Sequence, residues 1–119
     1  SCKEKVEQTT MPDIDKKYLS ESLLFALNQA VENDPDEPEN YYQRSKVYFE
    51  RGESRKALAD VQKAISFKKQ GKYYLLMGEV FKELKNYNEA LNAFRQAEAM
   101  QVNDAELKIQ LAELFLETG

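Results

Sequence analysis

Two stretches of this chain are near-copies of one another, set 33 residues apart. The first reads Tyr41-Tyr42-x-x-Ser45-x-x-Tyr48-Phe49-x-x-Gly52, then Ala57-Leu58-x-x-Val61-x-x-Ala64. The second reads Tyr74-Leu75-x-x-Gly78-x-x-Phe81-x-x-x-Lys85, then Ala90-Leu91-x-x-Phe94-x-x-Ala97. One offset pairs Ser45 with Gly78, Tyr48 with Phe81, Ala57 with Ala90, Val61 with Phe94 and Ala64 with Ala97. A fixed period of this size marks stacked supersecondary units. Within each copy the apolar residues recur three and four apart, the spacing that lines one face of a helix. Each unit is therefore a helix pair with one apolar stripe, and only stacking on a neighbour can bury it.

The periodicity and its punctuation predict helices over 16–33, 38–51, 54–68, 71–84, 87–100 and 104–118, joined by short turns. Asp36 or Glu37 before Pro38, Asn86-x-x-Glu89 and Asn103-x-x-Glu106 read as helix starts. Asp34-Pro35, Gly52 and Lys85-Asn86 read as stops. Tyr73-Tyr74-Leu75-Leu76 has strand-like composition, but it runs straight into a helical period.

The repeated pattern resembles the tetratricopeptide repeat, an antiparallel helix pair of about 34 residues. The resemblance implies an all-α right-handed superhelix of about six helices, with small residues at each helix crossing: Ser45 and Ala57 in one unit, Gly78 and Ala90 in the next. Partial copies flank them. Leu107, Leu111-Ala112 and Phe115 follow the register of a first helix, and Leu24, Leu27 and Ala30-Val31 that of a second helix. The expected organisation is a polar tether over 1–15, a half repeat over 16–37, repeats over 38–70 and 71–104, and a half repeat over 105–119. Leu23 stands where Ala57 and Ala90 stand, which predicts a looser crossing there.

With 119 residues the chain can close one elongated core. Its net charge is −4 and unevenly spread: residues 1–37 carry 4 basic and 9 acidic side chains, residues 38–70 carry 8 and 4. The basic excess (Arg51, Arg55, Lys56, Lys63, Lys68, Lys69) falls mainly on a second helix and has no groove-reading motif beside it. It reads as a solvated face rather than a nucleic-acid site. Chemistry has little to work with. There is no histidine and one cysteine, so the common general base and the common zinc sets are lacking. No Gly-rich phosphate loop occurs, and no cofactor is expected. The one carboxylate pair that adjacent units bring into register is Glu79 with Glu113; two such groups could hold a hard cation or raise a pKa, but the pair reads as ordinary surface or partner-facing charge. The expectation is a protein that binds rather than catalyses.

In tetratricopeptide arrays the first helices line a concave groove. Carried onto this sequence, the resemblance implies a partner-binding set of Tyr42, Lys46, Phe49 and Glu50 from one unit. Leu75, Glu79, Lys82 and Glu83 follow from the next, then Ile109, Glu113, Leu116 and Glu117 from the terminal half-unit. Tyr42, Leu75 and Ile109 have an alternative reading as core between stacked first helices. The chaperone-binding branch grips a terminal carboxylate with Lys and Asn at fixed first-helix positions. Here those positions hold Tyr42, Lys46, Lys72 and Leu76, without the asparagines, so such a ligand is not expected.

Ser1-Cys2 followed by a polar run from Lys3 to Thr10 resembles the processed start of a bacterial lipoprotein, which implies a lipid on Cys2 as the only membrane contact. The alternative is a lone thiol. At the other end, Leu107, Leu111, Leu114 and Phe115 would lack a covering helix, which implies a longer array or self-association through 105–119. The expected function is a protein-interaction scaffold with a protein or peptide ligand and no nucleic acid, lipid-anchored at a bacterial cell envelope. The alternatives are a cytoplasmic regulatory or targeting domain of a larger protein, or a self-assembling scaffold.

Overall fold

The computed structural model describes residues 12–118 as six helices in a row: α1 (Asp13–Asn33), α2 (Pro38–Glu50), α3 (Ser54–Phe67), α4 (Gly71–Glu83), α5 (Tyr87–Ala99) and α6 (Ala105–Thr118). Local chemistry explains their ends. The Glu37 carboxylate accepts from the Glu39 N–H at 3.0 Å while Pro38 opens α2, where its missing N–H costs nothing. Asp104 caps α6 by accepting from the Leu107 N–H at 3.0 Å. Two expectations are corrected here. The cap of α6 is Asp104 rather than Asn103, and Asn86 precedes α5 without a side-chain capping bond. α1 also starts at Asp13 rather than 16, taking in residues assigned to the tether. The Pro12 carbonyl accepts from the Asp15 and Lys16 amides, both at 3.0 Å, and Asp13 and Asp15 suit the positive end of the helix dipole.

The exits of α2 and α4 share one turn. After α2, Gly52 has φ +81° and the Glu53 N–H returns to the Tyr48 carbonyl at 2.9 Å. After α4, the equivalent residue is Lys85 at φ 65°, and the Asn86 N–H returns to Phe81 at 2.9 Å. Lysine makes the same left-handed turn that glycine makes, at the steric cost a Cβ brings there.

Packing follows the repeat. α2 against α3 and α4 against α5 form the two tight hairpins, and α1 on α2, α3 on α4 and α5 on α6 stack them. Ala57, Ala64, Ala90 and Ala97 are fully buried along the crossings. The Ser45 hydroxyl, also buried, donates to the Ala57 carbonyl at 2.7 Å, so the backbones are as close as a serine permits. Gly78 is closer still: a Cβ placed there would stand 2.4 Å from the Phe94 ring. The larger crossing residue, Ser45, goes with the smaller Val61, and the glycine goes with the phenylalanine. One core (Tyr41, Val61, Tyr73, Leu76, Val80) lies between the first hairpin and α4, and a second (Phe94, Leu107, Leu114) between the second hairpin and α6.

Curvature comes from an asymmetry in these contacts. First helices touch one another, α2 with α4 and α4 with α6, whereas α1, α3 and α5 do not meet. The row therefore bends with α2, α4 and α6 inside. Its radius of gyration is 16.5 Å, against about 13 Å for a compact chain of this size.

Arg44 ties α1, α2 and α3 together through Asp60 (2.7 and 2.8 Å) and Asn28 (3.0 Å). In the second hairpin the equivalent residues are Met77 and Ala93, an apolar pair in place of the ion pair.

Gly78→Ala is expected to destabilise the chain by about 1–3 kcal/mol in urea unfolding, because the Phe94 ring must move. Phe94→Leu in that background should return part of the loss. Lys85→Gly should act in the opposite sense, stabilising by roughly 0.5–1 kcal/mol as the left-handed turn loses its strain.

Candidate functional site

The inner face of the row is built from α2, α4 and α6, and neighbouring units fasten its polar side chains. Glu39 of α2 is the hub at one end. It receives Lys72 Nζ at 3.0 Å and the Tyr73 hydroxyl at 3.1 Å from α4, and the Gln43 amide at 2.8 Å from its own helix. Burial works against the Glu39 charge, but the bonds from Gln43, Lys72 and Tyr73 prevail and hold its carboxyl below the usual range. Tyr73 is pushed up to about 12, first by burial and then by its bond to Glu39.

Tyr42 lies at the centre of this end. Its ring meets the Tyr73 ring at 4.9 Å, and Lys46 and Lys72 place their ammonium groups 5.1 and 5.0 Å from its centroid. Such contacts hold two cations against one aromatic ring. Lys72 and Tyr73 were not among the groove residues expected from sequence. Their signal was present: Glu39, Lys72 and Glu106 occupy one repeat position on successive first helices, and the first two carry opposite charge. Opposite charges at one register position face each other when the helices stack side by side.

Glu79 of α4 marks the middle. Its carboxyl is half-buried and pushed up to about 7, mainly by burial, then by Glu106, with Asp104 and Glu113 adding repulsion and Lys82 opposing it. Glu113, the partner weighed for Glu79, is the smallest of these contributions; burial and Glu106 come first. Glu113 itself pairs with Lys82 across the α4–α6 seam. Among the described residues no group of three or more His, Cys, Asp or Glu side chains is arranged to hold a metal ion.

At the far end Lys82, Glu113, Leu116 and Glu117 surround a cleft of about 320 Å³, with Leu116 85% exposed. The apolar half of the expected groove is divided. Ile109 and Leu116 are exposed, while Tyr42 and Leu75 are half-buried against the two cores. Phe49 also leans on the first core, and Glu50 lies beside α1, away from the others. Glu83 is exposed at the end of α4. At the positions of a carboxylate clamp, Leu76 is buried and Lys72 is engaged by Glu39. Cys2 lies outside the described residues. No helix among the described residues is long and apolar enough to cross a membrane.

Paired helices, small residues at the crossings and first helices lining the inner face define a tetratricopeptide-repeat domain. The chain belongs to the family described as anaphase-promoting complex, cyclosome, subunit 3, whose model matches residues 16–97. No curated protein matches it in sequence. Solved structures do match in shape. The first tetratricopeptide domain of Spaghetti (RPAP3), bound to the HSP90 peptide SRMEEVD, has a TM-score of 0.80 at 18% identity, covering 88% of this chain and 84% of that one. The OM64 tetratricopeptide domain of Arabidopsis has 0.80 at 22%, covering 86% and 85%. A thermophilic tetratricopeptide protein of Thermus thermophilus has 0.77 at 25%, covering 92% and 56%.

Glu79 sets a pH dependence. Its folded pKa lies above the ordinary 4.5, so its charge opposes folding, negligibly below about pH 4.5 and in full above about pH 7. Glu79→Gln should therefore raise Tm at pH 8, with the gain shrinking as pH falls and vanishing near pH 4. Thermal unfolding followed by circular dichroism across that range checks it.

Proposed function

We propose that this chain is a non-catalytic protein-interaction module that takes an extended peptide, or a segment of a partner protein, along α2, α4 and α6. The observation that carries the reading is the inner face itself. Side chains from three consecutive first helices converge on one strip, and ion pairs and ring contacts hold them in place before any ligand arrives. Such preorganisation lowers the ordering cost of binding. The match in shape to a domain that holds an HSP90 peptide supports a ligand of this kind.

The strip is polar in a definite order. Tyr42, Lys46 and the Lys72–Glu39 pair form one end. Glu79, Glu83, Glu113 and Glu117, with only Lys82 among them, form the other. A ligand with acidic side chains toward α2 and basic ones toward α6 fits this order. With Leu76 buried and Lys72 engaged, a ligand read by its side chains fits better than one gripped by a terminal carboxylate.

A lipid on Cys2, with the polar run after it as a tether, would carry the row at a bacterial envelope surface. The other placement is as a regulatory or targeting domain within a larger cytoplasmic protein. Mass spectrometry of the N-terminal peptide of the native protein separates the two: acyl groups on Cys2 support the first, an unmodified thiol ends it.

The groove reading is tested by selecting peptides from a random library on the chain and measuring Kd by calorimetry. Tyr42→Ala and Leu116→Glu should each weaken the selected peptides by about tenfold or more, on the scale of a lost contact at the centre of an interface. Lys63→Ala, on the outside of α3, should leave Kd unchanged. Equal losses at Lys63 and Tyr42 would rule the inner face out.

A further inference from the structure

The solvent side of α3 carries cations and no acid. The buried sides of this helix are filled from within the chain, against α2 and α4. On the side left over, Arg55, Ala59, Gln62, Lys63 and Ser66 are exposed at helical spacing, and Lys68 and Lys69 follow directly after the helix. Glu53 and Asp60 are the acids that occur between Arg51 and Lys72, and both are engaged. Glu53 takes Arg51 at 2.7 Å and Lys56 at 3.3 Å, and Asp60 takes Arg44 at 2.7 Å. Arg55, Lys63, Lys68 and Lys69 make no ion pair among the described residues.

The repeat does not call for bases at these positions. Where α3 and its exit have Arg55, Lys63 and Lys68, the α1 unit has Glu21, Gln29 and Asp34, and the α5 unit has Asn88, Gln96 and Gln101. Water solvates either sign, and the chain as a whole is acidic at −4. Uncompensated cations along one strip repel one another, a cost that the mixed face of α5, with Glu89, Arg95 and Glu98, avoids.

We propose that this strip is a second docking surface, separate from the inner face, and that it takes an extended acidic segment of a partner protein. Its dimensions decide the kind of partner. From Arg55 to Lys69 the strip runs roughly 20 Å and is one helix wide. An extended segment of about six or seven residues covers that length. Exposed acids border it in the outer layer: Glu21, Glu32 and Asp34 in the α1 unit, Glu89 and Glu98 on α5. A flat anionic lipid surface laid on that layer would meet those acids as well, whereas a single acidic strand need not. A nucleic-acid strand gains most from open aromatic faces. Phe67, at the end of the strip, already stacks on Tyr41 at 6.0 Å and has the Lys63 ammonium 5.2 Å from its centroid. With α3 outside and α2, α4 and α6 inside, both surfaces can be occupied at once.

Fluorescence anisotropy of labelled octaglutamate, titrated with the full chain, tests this. Binding should be one to one despite the like net charge, and should weaken about tenfold from low to physiological salt. Lys63→Glu and Lys68→Glu should each weaken it by about tenfold or more. Lys46→Ala on the inner face and Arg95→Ala on α5 should leave it unchanged. Circular dichroism confirms that each variant keeps its helices; if a charge reversal disturbs them, Lys63→Gln combined with Lys68→Gln takes its place. No binding at millimolar chain concentration overturns the proposal. So does a loss in Lys46→Ala with none in Lys63→Glu, which would seat the acidic peptide on the inner face. Tighter binding to oligouridylate or to phosphatidylserine vesicles than to octaglutamate, lost in Lys63→Glu, also overturns it and gives the strip to a different polyanion.

Discussion

Close approach of two backbones at each helix crossing is the constraint on which the rest of the row depends. Helices that carry small residues where they cross bring long stretches of apolar surface into contact. Ser45 reaches the Ala57 carbonyl at 2.7 Å, and Gly78 lies under the Phe94 ring without room for a methyl group. These crossings make two stiff hairpins. Their flanks, not their centres, then form the cores that bind one hairpin to the next helix. Because first helices touch one another and second helices do not, the row curves, and the inner face is a consequence of that curvature.

The inner face uses charge differently from the outer one. On the outside, Arg55, Lys56, Lys63, Lys68 and Lys69 are exposed on or just beyond α3, where water screens them. On the inside, stacking sets charges from consecutive units side by side, and two cations are held by a neighbour: Lys72 by Glu39, Lys82 by Glu113. Glu79 has no such partner. It is half-buried among other acids, with Lys82 partly committed elsewhere, and its raised pKa follows from that placement. The face thus carries Lys46 and the Lys72–Glu39 pair at one end and an under-compensated carboxyl toward the other.

The ends of the row obey the same rule as its middle. A stripe of small and apolar residues that is closed inside each hairpin remains open on α1 and α6, because no helix among the described residues packs there. A repeat has no natural terminus of its own: every unit offers its successor the surface its predecessor offered it. Loss of the tight crossing at Leu23 softens the α1 end without removing its apolar character.

Periodicity determined the helix pairs and their order, through a 33-residue offset of small and aromatic positions; which of the small residues sit at the crossings was implied by the family resemblance. The resemblance to the tetratricopeptide repeat, rather than spacing, implied Tyr42, Lys46, Glu79, Lys82, Glu113 and Leu116 as an inner-face set. Other features were decided only by the fold. Asp104 rather than Asn103 caps α6, and α1 begins at Asp13, since both depend on backbone angles that neighbouring residue types permit equally. The Glu39–Lys72–Tyr73 cluster, the Arg44–Asp60 pair and the displacement of Glu50 toward α1 depend on distances between units. A repeat pattern specifies which faces meet; the rotation of one hairpin on the next, set by the volumes packed between them, specifies which atoms do.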